Sequence, residues 1–573
     1  MQMDPMQSFA DEARRLTEEA LMRAGTEVML EIERPPAGVA DFAVPCFPLA
    51  KRLKRTPVVI AEEMVHAMPR SEKFSKIWAE KGYVNFRVNE PMLAKITIRA
   101  VLNEKEGYGT CERKMPKVLL EHTSVNPTGP IHVGRARNPL IGDTLARCLR
   151  RAGYDVTTEY YVNDVGKQVV LLSWGLNNVP ESEVPPSERE KVDHRLVGYY
   201  QKANQMMESD PEVSKQISDM LVRFEAGDAS IIEQVGETAE LMLQGIRVSL
   251  EKVGVRIDQY TWESKFILDG SAKQVVSKLK ASPRCHEENG ASYLELEELG
   301  NQGKSTKFFF TRSDGTTLYT TRDLAYHLDK FKRADICINV LGEDQKLGMT
   351  HLVSALKILG EERAPECVFY SFVSLPEGRM STRKGVVVYL DDLIDEAEDR
   401  ALEEVRKRRF DISEEKMFEI AKMIGRGAIR YNIIRVQAEK QLVFQWEDAL
   451  NFEGNSAPFL QYAHARCCSI LRKAGTFDRG ADTALLTHDS EKKLIRVISL
   501  FPSIIKEAGE KRKIHILPAF GHELASAFNQ FYGSVPVLRS GELEAARLCL
   551  VEATRWTLRN VLDTMGIAAP EEM

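Results

Sequence analysis

Residues 121–138 read EHTSVNPTGPIHVGRARN, the densest run of chemically competent side chains in the sequence. They follow KVLLEH (117–122), an apolar run suited to a buried parallel strand, and they lead into a helix-spaced segment. A helix opening at the carboxyl end of a strand presents free backbone N–H groups and the positive end of its dipole, which attract phosphate. Gly129 and Gly134, with Thr128 beside them, let the chain approach a nucleotide closely. His132 can donate a hydrogen bond to a phosphate oxygen and, when charged, offset its negative charge. Taken alone, a Pro/Gly turn with a surface histidine is the simpler account. Glu121 is harder to explain blandly, because an unpaired carboxylate at an apolar strand end is costly to bury. Tyr319 and Asp323 lie four residues apart, a spacing that puts both on one helical face. Alone, Asp323 reads as a helix N-terminal charge and Tyr319 as a strand aromatic in the core.

The elements that must position these residues follow from periodicity. After about residue 113 the pattern is strand, Gly/Pro turn (124–134), helix (139–152, stopped by Gly153) and strand VTTEYYV (156–162). This is a βαβ unit, which builds a parallel sheet with ligands at the carboxyl ends of its strands. Polar residues 177–195 read as a linker into a helical insertion reaching about 260. Residues 307–323 predict two β-runs around Asp314-Gly315, a hairpin signal. ICINVLGED (336–344) and CVFYSFVSL (367–375) predict buried strands separated by a helix over 349–359. Before the βαβ unit, the spacing predicts helices over 11–32 and 57–68, a loop over 41–48 and a strand at GYVNFRV (82–88). From about 396 onward strands give way to helical periodicity, an all-helical bundle. The expected class is α/β plus all-α, divided into 1–112, 113–395 with an insertion at about 177–260, and 396–573.

Within this frame HVGR (132–135) resembles the HIGH signature of class I aminoacyl-tRNA synthetases, and LLEHTSVNPTGPIHVGRARNPLIGD resembles arginyl-tRNA synthetases specifically. The KMSKS signature has its counterpart in Arg379-Met380-Ser381-Thr382-Arg383, followed by Lys384-Gly385. NSAPFLQYAHAR (455–466) and FNQFYGSVPVL (528–538) resemble that family's helical anticodon-binding domain. GVADFAVPCFPLAKRLK (38–54) and GYVNFRV resemble its N-terminal additional domain. The resemblance implies a Rossmann-like catalytic domain with a helical insertion, an N-terminal α+β domain contacting the tRNA elbow, and a C-terminal helical bundle. It implies a cytoplasmic, monomeric arginine–tRNA ligase that uses ATP with Mg2+, forms arginyl-adenylate and esterifies the 3′ end of tRNA(Arg).

Residue by residue, the resemblance gives catalytic roles to His132, Arg135, Arg383 and Lys384. ATP falls to Thr128, Gly129, His132, Gly134, Gly342, Met380 and Ser381. Glu121 and Asp323 take the guanidinium, Tyr319 lines the site, and Asn126 and Ser124 hold the amino-acid head group. Either Asp344 or Gln345 takes the adenosine or the head group. Tyr462, Arg466, Phe531 and Tyr532 meet the anticodon loop. A guanidinium is planar, permanently charged and carries five donors, so carboxylates in forked geometry suit it. Among the departures from the family signatures, Arg135 stands for the last histidine, Arg379 for the first lysine and Thr382 for the second. GVADFAVP replaces the GDY-type sequence frequent in the N-terminal domain of relatives.

Two other readings compete: a HIGH-type nucleotidyltransferase adenylylating a small molecule, and a non-catalytic relative that only binds tRNA. The large helical C-terminal half argues against the first, and only Arg135 supports the second. With 573 residues, a net charge of −6 and no apolar run of about 20 residues, the chain reads as a multidomain protein without a membrane span. Its nine cysteines contain no CxxC pair, which argues against structural zinc, and no metal ligands are expected.

Overall fold

The computed structural model describes residues 4–23, 30–36, 38–112, 115–297, 306–374 and 388–573. At its centre β1 (Lys117–Glu121), β2 (Asp155–Val162), β3 (Gln259–Trp262), β4 (Ile336–Gly342) and β5 (Glu366–Tyr370) form a parallel sheet in the order β5-β4-β1-β2-β3. Val118, Leu119 and Leu120 are buried, which is why β1 reads as an unbroken apolar run rather than an alternating one. Strand order reverses between β1 and β4, and a crevice opens outside the carboxyl ends of strands at such a switch point. Helix α1 (Arg137–Arg151) carries the chain from β1 to β2, and helix α2 (Tyr319–Arg333) leads into β4.

Three sequence expectations fail locally. The N-terminal helix runs Pro5–Arg23 rather than 11–32, and Glu33 instead bridges Ala43 in extended conformation. The expected loop 41–48 contains the strand Phe42–Pro45 and the start of the helix Phe47–Leu53; that strand joins Tyr83–Val88 and Phe74–Glu80 in an antiparallel sheet. The expected hairpin reduces to the strand Lys307–Phe309 and a single bridge between Thr311 and Thr317. Its second run, from Tyr319, is helical because the face bearing Leu324, Ala325 and Phe331 packs into the core. There the tertiary stripe outweighs the β-preference of Tyr and Thr.

The insertion is helical as expected, with Val192–Ser209, Pro211–Ala226 and Ala229–Lys252. The C-terminal half begins with α3 (Leu390–Arg408) and α4 (Glu414–Ile434), so a helix crosses residue 395. Its strand content is not nil: Leu442–Val443 pairs in parallel with Val373–Ser374.

Two buried arginines lock this half to the sheet. Arg430 of α4 is 1% exposed, and its guanidinium donates to Asp143 Oδ2 (2.6 Å), Val253 O (2.7 Å) and Met565 O (2.6 Å). A Cβ at Gly566 would lie 2.3 Å from that guanidinium, so the closeness of the chain there requires glycine. Arg137 is fully buried and donates only to carbonyls, those of Ser371, Val436, Gln437 and Lys440. Burial lowers its pKa to about 10, which leaves it charged near neutrality.

Candidate active site

A cavity of about 340 Å³ sits at the switch point between β1 and β4. Its wall takes Glu121, Ser124 and Asn126 from the end of β1, Gly342, Asp344 and Gln345 from the end of β4, and Tyr319 and Asp323 from α2. All seven residues proposed for arginine therefore face one space, together with Gly342 and Arg135. Tyr319 is 66% exposed at the start of α2, not in a strand core. A Cβ at Gly342 would meet Asp344 Oδ1 at 2.4 Å and the Phe372 ring at 3.0 Å, so glycine admits both neighbours.

The loop after β1 is strained. Thr123 has φ +73° and Ser124 φ +40°, a left-handed conformation unfavourable for a β-branched residue. The surroundings hold it there: Thr123 N–H donates to Asn138 Oδ1 (2.7 Å), and Asn138 Nδ2 donates to Val340 O (2.9 Å), tying the loop to β4. Ser124 Oγ donates to Glu121 Oε1 at 3.2 Å.

Glu121 is not unpaired. Its Oε2 accepts from the ammonium of Lys330 at 2.8 Å, and Lys330 has no solvent exposure. One oxygen of the expected fork is therefore already engaged, and the burial cost is offset from within the protein. Asp323 has one oxygen, Oδ1, 3.0 Å from His327 Nδ1, and its side chain stays 31% exposed.

Sequence reasoning missed a further acid. Glu263 follows the last residue of β3, lines the cavity and is 1% exposed. It pairs with buried Arg322, and Asn163, turned with its nitrogen inward, donates to Oε2 at 2.9 Å. Burial pushes the Glu263 carboxyl up to about 7 despite the opposing charge of Arg322, with Asp164 and Asp323 adding to the rise. The available signal was positional: Glu263 ends β3 as Glu121 ends β1, at the carboxyl edge where ligands bind. Asn138, His327 and Asn339 also line the cavity without having been singled out.

Thr128, Gly129, His132 and Gly134 lie outside the cavity wall, in the segment leading from it to α1. His132 Nδ1 accepts the Gly134 N–H at 3.0 Å, so the ring keeps its proton on Nε2, the free donor. That N–H of Gly134 is thus not available to phosphate. Partial burial, and then the charge of Arg135, lower the His132 pKa, so it acts as a neutral donor rather than a cation. Arg135 is exposed and supplies the permanent charge. A Cβ at Gly134 would approach the His132 ring at 3.0 Å; the glycine makes room for the histidine.

Arg379, Met380, Ser381, Thr382, Arg383, Lys384 and Gly385 lie outside the described residues. The residues that follow them pair with the first signature: Val133 N donates to Val388 O (2.9 Å), and Leu390 N donates to Ile131 O (2.7 Å). Next along, Asp391 meets Lys191 Nζ (2.8 Å) and His194 Nε2 (3.0 Å) of the insertion. Among the described residues, Asp193, His194 and Asp391 have the donor types of a cation site, and the Lys191 ammonium already lies 3.0 Å from Asp193 as well.

Comparison with known proteins bears on this arrangement. The family model for class I tRNA synthetases (R), catalytic domain, matches residues 97–446, the one for the arginyl tRNA synthetase N terminal domain matches 9–88, and the DALR anticodon binding domain matches 460–573. An arginine–tRNA ligase of Methanocella arvoryzae is 47% identical, covering 98% of this chain and 99% of its own. One from Methanothermobacter thermautotrophicus is 40% identical over 98% and 99%. The chain belongs to the arginyl-tRNA synthetase family. A solved arginyl-tRNA synthetase of Thermus thermophilus superposes with a TM-score of 0.81 at 28% identity, covering 98% of this chain and all of the other.

A second candidate surface lies in the helical half, which the DALR anticodon binding domain model matches in part. A groove of about 900 Å³ is lined by Arg400, Arg408, Arg409, Tyr462, Arg466 and Met573, among others. Arg466 lies 4.6 Å from the Tyr462 ring centre and 5.3 Å from that of Tyr532, both rings being partly exposed. Phe531 is fully buried and packs beside Phe528; it belongs to the core and not to a binding face. The basic cluster 406–409 is paired locally, with Glu404, Asp411 and Glu414 as partners.

Proposed function

We propose that this chain is an arginine–tRNA ligase: it joins L-arginine to the α-phosphate of ATP, releases pyrophosphate, and passes the arginyl group to the 3′ end of tRNA(Arg). The observation that carries the reading is the acid-lined cavity at the switch point, directly beside the segment bearing His132. With Glu121 and Glu263 already paired to Lys330 and Arg322, Asp323 and Asp344 are the lining acids that supply charge for a ligand cation, and Asp323 keeps a carboxylate oxygen free for two N–H groups of a guanidinium. In this reading Asn126 and Ser124 take the amino-acid head group, with Asp344 or Gln345; their shared place on the cavity wall supports it. In-line phosphoryl transfer needs little covalent help; it needs positioned donors where charge builds up. His132 Nε2–H and the Arg135 guanidinium are such donors, each contributing about 2–4 kcal/mol if the contact tightens in the transition state. ATP brings its own Mg2+ as part of the substrate. Arg383 and Lys384 complete the phosphate contacts in this reading, with Met380 and Ser381 beside them.

Transfer RNA spans all three parts: the N-terminal domain takes the elbow, and Tyr462, Tyr532 and Arg466 stack against unpaired anticodon bases. ATP–pyrophosphate exchange, run with and without tRNA, tests the proposal. Exchange that depends on arginine is expected. Exchange supported by another acid would favour a different nucleotidyltransferase, and none under any condition a non-catalytic relative.

A further inference from the structure

At the cavity wall the two acids drawn from distant parts of the sequence are joined. Lys330 Nζ lies 2.8 Å from Glu121 Oε2 and 2.8 Å from Asn339 Oδ1. Asn339 Nδ2 lies 2.9 Å from His327 Nε2, and His327 Nδ1 lies 3.0 Å from Asp323 Oδ1. Lys330, Asn339 and His327 are each at most 1% exposed, and the Lys330 ammonium also faces the Tyr326 ring at 4.2 Å.

The chemistry of the groups fixes the direction of every bond. An ammonium has only protons to give, so Asn339 must turn its oxygen toward Lys330 and its nitrogen toward the histidine. His327 Nε2 therefore accepts and carries no proton. Independently, Nδ1 lies 2.9 Å from the backbone carbonyl of Asp323, which can only accept, so Nδ1 must bear the proton. Both ends of the ring demand the same tautomer; its N–H is given to the Asp323 carbonyl, with the carboxylate Oδ1 3.0 Å from the same nitrogen.

We propose that Lys330, Asn339 and His327 are positioning residues for arginine: the chain turns the free oxygen of Asp323 toward the guanidinium while it holds Glu121 in place below. Asp323, His327 and Lys330 stand at i, i+4 and i+7 on α2, one stripe aimed at the sheet, and Asn339 is the register partner of Glu121 across β4 and β1. Lys330 does not line the cavity, and His327 and Asn339, which do, are each 1% exposed. The inference rests on Asp323 being an arginine ligand, as proposed above.

The test uses the full-length protein, L-arginine and ATP, and two substitutions of one residue. In His327→Asn the amide nitrogen falls where Nδ1 was and can still donate to Asp323. In His327→Gln the amide reaches only the Nε2 position and leaves Asp323 without its donor. His327→Gln is expected to raise KM for arginine about tenfold or more, the size of one lost hydrogen bond to a charged group, with KM for ATP unchanged. His327→Asn is expected to recover most of that loss. Asn339→Leu, which cuts the chain in its middle, should resemble His327→Gln and serves if that variant folds poorly. Equal behaviour of the Asn and Gln variants, or arginine and ATP constants rising together, would overturn the proposal. Asp323→Ala separates the two readings: if it leaves KM for arginine unchanged, the ligand assignment itself fails; if it raises KM while His327→Gln does not, only the positioning chain fails.

Discussion

The cavity at the sheet edge and the groove in the helical half both gather charge and aromatic rings, and they hold them in opposite ways. In the cavity, Glu121 and Glu263 are nearly excluded from solvent, and each has a buried cation as its partner. In the groove, Arg466 lies across rings of Tyr462 and Tyr532 that remain about two-fifths exposed. The first arrangement suits a small rigid cation, because buried partners leave a wrong ligand with unmatched polar groups and so reject it strongly. The second suits unpaired bases, whose faces stack on any ring and need adaptable contacts. On the function proposed above, selectivity for the amino acid and grip on the nucleic acid use different physics within one chain.

Four measurements would break or sharpen that contrast. The largest effect is expected from Asp323→Ala, which should lower kcat/KM for arginine in pyrophosphate exchange about a thousandfold, since truncating one partner of a desolvated charge contact costs 2–5 kcal/mol. The affinity for ATP should hold. Next, Arg430→Met leaves buried Asp143 with Arg147 alone and the Val253 and Met565 carbonyls without their donor, and should cost about 3 kcal/mol of stability, read as a clear fall in the thermal midpoint. That variant asks whether the two regions are one cooperative unit. Tyr462→Ala should weaken tRNA binding by about 1–3 kcal/mol, the value of one stacked base, and leave arginine-dependent exchange without tRNA untouched. An equal loss in both assays would erase the distinction between the regions.

The smallest effect concerns pH. The Glu263 carboxyl titrates at about 7 in the folded protein, above its ordinary value of 4.5. The folded state therefore holds a proton that the unfolded chain releases. The associated stability is complete below pH 4.5 and is lost as pH rises through 7. Glu263→Gln should flatten that part of the midpoint–pH curve; an unchanged slope between pH 5 and pH 8 would assign it elsewhere.

Much of this was legible in the sequence where a single rule governed. The run KVLLE and the Gly/Pro turn after it gave the strand and its loop, because a strand buried on both faces has no polar alternation to confuse. The i, i+4 spacing of Tyr319 and Asp323 put both on the cavity wall. Carrying the same stripe on to His327 and Lys330 would have revealed the partner of Glu121, which local reasoning about an isolated carboxylate could not supply. Glu263 escaped because its meaning depends on β3 being a sheet strand, and QYTW is too short to announce that. Phe531 was misjudged because a helix's sequence spacing does not say which of its neighbours will cover a ring. The reading 41–48 as loop failed for a similar reason: a four-residue strand exists there only because Tyr83–Val88 pairs with it.

The Arg430 clamp has a consequence for the order of events during synthesis. Asp143 emerges early with Arg147 of its own helix beside it (2.7 Å), yet its second cation, Arg430, and the Met565 carbonyl that Arg430 also holds come from the C-terminal half. Until that half leaves the ribosome, the acid at the back of the first crossover helix has one of its two arginine partners. The back of that helix is thus completed from two ends of synthesis, its local ion pair first and the distant one last.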